Sequence, residues 1–109
     1  MKTTINKNDL MELKSLVSPQ VLVKTTMEAV HILLMDKVPT WKECQKIMAD
    51  PSQLKQQMDE YDTSKVTPSM KEKLKVIIER PDFTIERITC VSKASLGVFK
   101  WVMEVYSTC

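Results

Sequence analysis

Glycine is almost missing: Gly97 is the single one in 109 residues. Loops that cradle phosphates need several glycines, because the backbone must turn tightly and approach the ligand. A P-loop or a dinucleotide fingerprint is therefore excluded from this segment. Histidine is as scarce, with His31 alone, and the three cysteines, Cys44, Cys90 and Cys109, are widely spaced with no CxxC pair. That set argues against a four-ligand zinc site, and an odd number of dispersed cysteines fits a reducing compartment, cytosol or nucleus. No apolar run approaches the roughly 20 residues needed to span a bilayer. Met1-Lys2-Thr3-Thr4 leads straight into polar sequence, without a secretory signal. No stretch alternates with period two, and no hairpin turn is visible. The net charge is only +2, so any acidic partner must be met by a local patch.

What is present is helical periodicity joined by cap-and-proline punctuation. Hydrophobic residues make up 43% of the chain and charged ones 28%, enough for one modest core. The longest periodic run is Asp82 to Tyr106. Wound as one helix, it puts Ile85, Ile88, Val91, Phe99, Val102 and Tyr106 on an apolar arc, widened by Leu96, Val98, Met103 and Val105. Glu86, Cys90, Lys93, Gly97, Lys100 and Glu104 form the narrow exposed stripe. An apolar arc of about half the circumference marks a central helix. No Gly or Asn caps it, and the pattern still runs at Cys109, as if a longer helix had been cut there.

Before it, Ile5 to Val17 reads as a helix with Leu10, Leu13 and Leu16 or Val17 inward, beginning as abruptly as the last one ends. Ser18-Pro19 reads as a cap followed by a first-turn proline, opening a helix to about Met35. Its inner face holds Leu22, Val23, Thr26, Met27, Val30, Leu33 and Leu34. Lys24, Glu28 and His31 take the other face. Thr40-Trp41-Lys42-Glu43 is a capping box, offering Trp41, Cys44, Ile47 and Met48 to the core. Asp50-Pro51 and Thr67-Pro68 repeat the cap-then-proline device, the first with Leu54, Met58 and Tyr61 inward, the second with Met70, Leu74 and Ile77. Arg80-Pro81 ends that helix, because the residue before proline resists helical geometry, and Thr84 caps the last one. The expected fold is an all-α compact bundle of about six helices in one domain over residues 1–109.

Catalytic chemistry finds little support. His31, on the Lys24–Glu28 face with no implied carboxylate or cysteine partner, reads as a surface histidine. Cys90 reads as passive, because Glu86 one turn earlier opposes its thiolate. The methionines read as core filling more than as an adaptable binding surface. The basic run Lys71 to Lys75 reads as a solvated face. Gly97 leaves a bare patch, open to a neighbouring helix or a partner.

The ordered combination SPQVLVKTTMEAVHILL, then TWKECQKIM, then Leu54…Tyr61-Asp62…Val66…Lys73-Leu74…Pro81-Asp82-Phe83, then VSKAS…KWVMEVY, resembles the microtubule-binding domain at the stalk tip of dynein heavy chains. The resemblance covers essentially the whole chain. Tyr61-Asp62 and Pro81-Asp82-Phe83 look more like axonemal than cytoplasmic members. The resemblance implies that the first and last helices continue into an antiparallel coiled-coil stalk whose register switches microtubule affinity during the ATP cycle. It implies an ATP-driven, minus-end-directed motor whose ATPase ring lies elsewhere, so that this segment is not itself an enzyme and needs no cofactor or metal. The implied partners are the α/β-tubulin of a microtubule and the rest of the heavy chain, with no nucleic acid and no membrane. The implied location is the cytoplasmic cytoskeleton, in a cilium or flagellum for the axonemal type.

Family contacts with tubulin come from the first helix, the short third helix and the start of the last. By position, the first-helix basic pair falls on Asn6 and Lys7. The third-helix basic contact falls near Asp50, opposite in sign, with Lys46 one turn away. The acidic contact of the last helix matches Glu86, and a basic one falls on Cys90, for which Arg87 and Lys93 can stand in. The expected microtubule-binding residues are thus Lys7, Lys46, Glu86, Arg87 and Lys93. Two other classes compete. One is a helical protein–protein module that binds a partner helix. The other is a helix-turn-helix DNA binder, disfavoured because Glu86 and Glu104 interrupt the lysines of the last helix.

Overall fold

The computed structural model describes residues 7–16 and 20–108. Among these there are seven α-helices and one 3-10 turn, and no strand: α1 (Lys7–Lys14), α2 (Val21–Met35), α3 (Trp41–Ile47), α4 (Pro51–Asp59), the turn Thr63–Lys65, α5 (Pro68–Ile78), α6 (Ile85–Val91) and α7 (Ala94–Thr108). No helix among the described residues is long and apolar enough to cross a membrane.

The punctuation acts as its chemistry dictates. Thr40 and Glu43 form a reciprocal capping box at the start of α3. Asp50 accepts from the Gln53 amide, Thr67 from Met70 and Thr84 from Arg87, each satisfying an orphan donor of a first turn. Pro51 and Pro68 follow as first helical residues, where no N–H is needed. Ser18-Pro19 lies outside the described residues. The residue before α2 is Gln20, whose side chain makes no capping bond.

α2 and α7 form the spine. They pack on each other, α2 also contacts α3, α5 and α6, and α7 also contacts α1, α5 and α6. Val23, Met27, Val30, Ile32 and Leu33 from α2 meet Val98, Trp101, Val102 and Val105 from α7 in one core. Leu10 and Leu13 seat α1 in the same core at 0% exposure. The methionines split as expected of fillers: Met27, Met48 and Met58 are fully buried, whereas Met11 and Met35 are exposed.

Three expectations need correction. The run from Asp82 to Tyr106 is two helices, not one, which is why the bundle has seven. Ser92 adopts an extended backbone (φ −162°, ψ 118°) and stops α6. The chain restarts at once, with Ser95 Oγ donating to the Ser92 carbonyl at 2.9 Å and the Leu96 amide to Lys93. The break lets α6 pack on both α2 and α7, burying Ile88 completely while leaving Ile85 43% exposed. Hydrophobic spacing cannot reveal this break, because both pieces turn an apolar arc to the same core.

His31 is the second correction. It is buried, not a surface histidine, at 2% exposure, with Nδ1 3.3 Å from the Lys37 carbonyl oxygen. Its helical face is exposed at Lys24, half-buried at Glu28 and closed at His31, because α3 packs on α2 and the turn after Met35 folds back over that end. The third is Lys73, expected on the solvated face of α5 but engaged at the end of α2, which closes after Met35 as expected. Asp36 closes it in the left-handed region (φ 52°, ψ 44°), its amide donating to Ile32 at 2.7 Å. A non-glycine residue is costly there. Lys73 of α5 compensates by donating to both the Asp36 carboxylate (2.8 Å) and its carbonyl (3.2 Å). Lys73 is therefore half-buried and engaged, not part of the solvated face formed by Lys71, Glu72 and Lys75.

Candidate functional site

All the residues expected to meet tubulin lie on the surface: Lys7, Lys46, Glu86, Arg87 and Lys93 are each exposed. Lys7 is the first residue of α1. Lys46 sits in the last turn of α3 and borders a groove with Met35 and with Asp50, Gln53 and Gln57. Asp50 there is occupied in capping α4. Glu86 and Arg87 occupy the first turn of α6 behind the Thr84 cap. Lys93 stands at the break between α6 and α7, where it and Val91 line a cleft of about 450 Å³ together with Glu12 of α1 and Leu16 just after it. The structure thus brings Lys93 to α1 and Lys46 to the α3–α4 corner, and Lys7 and Arg87 line neither cavity. Asn6 lies outside the described residues, and Cys90 is exposed.

α3 holds this face together through α1. The last carbonyls of a helix have no intrahelical donor. At the end of α1 the donors come from α3: Gln45 Nε2 donates at 3.0 Å to the carbonyl of Lys14, the last helical residue, and at 3.0 Å to that of Leu16 just beyond it, where Trp41 Nε1 also donates at 3.0 Å. Lys14 and Lys42 are also exposed. Lys42 lies one turn before Gln45 on the same side of α3, so these cations border the same junction. The sequence reading took Trp41 as core and gave Gln45 no part. Neither spacing nor composition reveals that two α3 side chains reach α1, about thirty residues away in the chain.

Behind this face, electrostatics stabilise the scaffold. Arg80 holds both carboxylate oxygens of Asp82 at 3.2 Å, keeping that carboxyl below its ordinary pKa, and reaches the hydroxyl of buried Thr25 at 3.3 Å. Burial pushes Glu28 upward, partly offset by Arg80 and then Lys24. Cys44 is pushed up to about 12, first by burial and then by the nearby Glu28 and Glu43, which makes it a packing residue rather than a nucleophile. No group of three or more His, Cys, Asp or Glu able to hold a metal occurs among the described residues.

The class is a bundle of capped helices that presents exposed cations, Lys7, Lys46 and Arg87, from three different helices. The comparisons give its family. The family model "Microtubule-binding stalk of dynein motor" matches residues 1–108, and the chain belongs to that family. It is 38% identical over 103 residues to human dynein axonemal heavy chain 6, covering 93% of this chain. It is 36% identical over 104 residues to the dynein-1-beta heavy chain of the flagellar inner arm I1 complex of Chlamydomonas reinhardtii, covering 94%. The cytoplasmic dynein heavy chain of Dictyostelium discoideum is 37% identical over 101 residues, covering 91%. In each case the chain spans about 2% of the relative's length.

Proposed function

We propose that this domain holds a microtubule through the surface built by α1, α3 and the start of α6, with Lys7, Lys46, Arg87 and Lys93 contacting the acidic face of α/β-tubulin. Glu86 tunes that contact or pairs with a tubulin cation. The observation that carries this reading is that cations from three separate helices all stay exposed, while the apolar side of each helix is committed to one core. Rim charges of this kind steer encounter and fix register more than they add affinity, and salt screens them.

The heavy chain that contains this domain is an ATP-driven motor of the cytoskeleton, and the chain ahead of α1 and beyond α7 forms the two strands of its stalk. Within the segment, Cys44 is buried and the one histidine, His31, is packed under α3. Placement in a cilium or flagellum is supported by the axonemal relatives, and Tyr61-Asp62 with Pro81-Asp82-Phe83 points the same way. Localisation of the full heavy chain to axonemes rather than to the cell body decides it.

The direct test is co-sedimentation with microtubules at low and moderate salt. Binding should weaken as salt rises, and reversal of Lys7 and Arg87 to Glu should weaken it further while helicity is unchanged. Binding that is indifferent to both would overturn the proposed face.

A further inference from the structure

We propose that Trp41 and Gln45 of α3 act as a latch that holds the C-terminal end of α1 in one of two seats, so that releasing them changes how stalk register sets microtubule affinity. The inference rests on the stalk reading above, in which α1 is the element the first stalk strand leads into.

Three observations support it. First, the end of α1 is tied to α3 by side chains. Its closing carbonyls at Lys14 and Leu16 receive three donors from α3, all at 3.0 Å. Locally, the Ser15 amide donates to Met11 and Glu12, its hydroxyl to Glu12, and the Leu16 amide to Leu13. A carbonyl served from another helix fixes the position of one element against the other, whereas a local cap would travel with α1. Second, that end also borders a cleft, which Gln20 and Val23 help to line. Glu12 and Leu16 line this cleft of about 450 Å³ together with Val91, Ser92 and Lys93. The apolar Leu16 is only half-buried there. The end of α1 therefore has donors from α3 and a cleft beside it, an arrangement that suits an element with two discrete seats. Third, the donors belong to a helix in the proposed contact face, and Gln45 lies between Lys42 and Lys46. Movement of α1 would be felt at that face without passing through the α2–α7 core.

Trp41 and Gln45 are thus positioning residues. They serve binding by deciding where α1 sits, and their own donors are used up on Lys14 and Leu16. In the latched seat both bonds count, and in any other seat neither does. Loss of the latch should therefore act on one register only.

The test uses this chain joined at both ends to an antiparallel coiled coil locked in either of two registers, with affinity measured by co-sedimentation. The variants are Trp41→Phe, which keeps the ring and removes the N–H, and Gln45→Leu, which keeps the volume and removes the amide. The wild type should show two affinities. Each variant should move the affinity of one register toward the other by about three- to tenfold, the value of one or two hydrogen bonds, and leave the other register unchanged. Hydrogen exchange on the unfused chain should show faster exchange in α1, with α2 and α7 unaltered.

An equal fall in both registers would overturn the inference, since it would mean the two side chains simply touch tubulin. No change in either register, or unchanged exchange in α1, would overturn it as well. Equal wild-type affinities in the two registers would instead remove the stalk reading, and the inference with it.

Discussion

The residues by which the family is recognised and the residues proposed to meet a microtubule lie in different regions and follow different physics. Tyr61, Asp62, Asp82, Phe83 and Trp101 belong to the scaffold. Tyr61 stands edge-on to Trp101 with ring centroids 5.4 Å apart, and its hydroxyl donates to the Leu33 carbonyl at 2.7 Å. Trp101 is 2% exposed and donates to Met58 at 3.0 Å, pinning α4 to α7. Phe83 packs on Phe99 at 4.8 Å, and Asp82 is gripped by Arg80. Lys7, Lys46, Glu86, Arg87 and Lys93 are exposed and free of such constraint. The lesson is that the motif identifies the scaffold. On the proposed reading, the contact face carries a reversed sign at Asp50 and no charge at Cys90, while the bundle is that of the family.

The comparison can be broken most violently from inside. Trp101→Ala removes a buried indole and its bond to Met58, and should cost about 3–5 kcal/mol. Urea unfolding should show the loss, and microtubule binding should disappear with the fold. The reverse signature belongs to the surface. Lys7→Glu with Arg87→Glu should lower microtubule affinity by about tenfold with an unchanged urea midpoint. A shift in that midpoint would put these residues in the scaffold instead. Smaller still is Tyr61→Phe, which keeps the stacking on Trp101 but strips the donor from Leu33. It should cost about 1 kcal/mol, readable in the same unfolding curves, and leave binding per folded molecule unaltered.

Acid sharpens the contrast within the scaffold. Asp36 is held below its ordinary 3.8 by the Lys73 hydrogen bond, Glu43 below 4.5 by Lys37, Asp62 below 3.8 by Ser64 and Asp82 below 3.8 by Arg80. A carboxyl depressed by folding stabilises the native state above its unfolded pKa, and that contribution is lost as pH falls through the folded value. Thermal stability should therefore drop below about pH 4, least in a variant such as Asp62→Asn that has already lost one of these groups. Glu28 has the opposite sign. Its raised pKa means the folded state holds the proton more tightly, so its contribution declines as pH rises above 4.5. Glu28→Gln should make stability slightly less sensitive to pH between acid and neutral. The smallest effect is chemical: a thiol reagent should modify exposed Cys90 in the native protein, while Cys44, fully buried and pushed up to about 12, reacts only on unfolding.

Much of this was legible in the chain. Thr40, Asp50, Thr67 and Thr84 cap helices because a short oxygen-bearing side chain beside a polar first turn is a local device, complete within four residues. The all-α class followed from the 3.6-residue period and from the absence of alternation, and the family from an ordered series of motifs. The candidate cations came from the family resemblance, transferred by position, and all of them lie on the surface.

What the tertiary structure alone decided depends on who covers whom. Periodicity ran straight through Ser92, because α6 and α7 both face the core and only their packing reveals the turn between them. His31 shares the spacing of Lys24, yet it is buried, because α3 and the turn at Lys37 close over that end of α2. Asp36 tolerates a left-handed backbone because Lys73 arrives from a helix more than thirty residues later. Trp41 and Gln45 reach α1 across a similar separation. Local signals say where helices begin and which side is apolar. The neighbour that supplies a donor or excludes water is a long-range fact, and here it decides where the end of α1 sits.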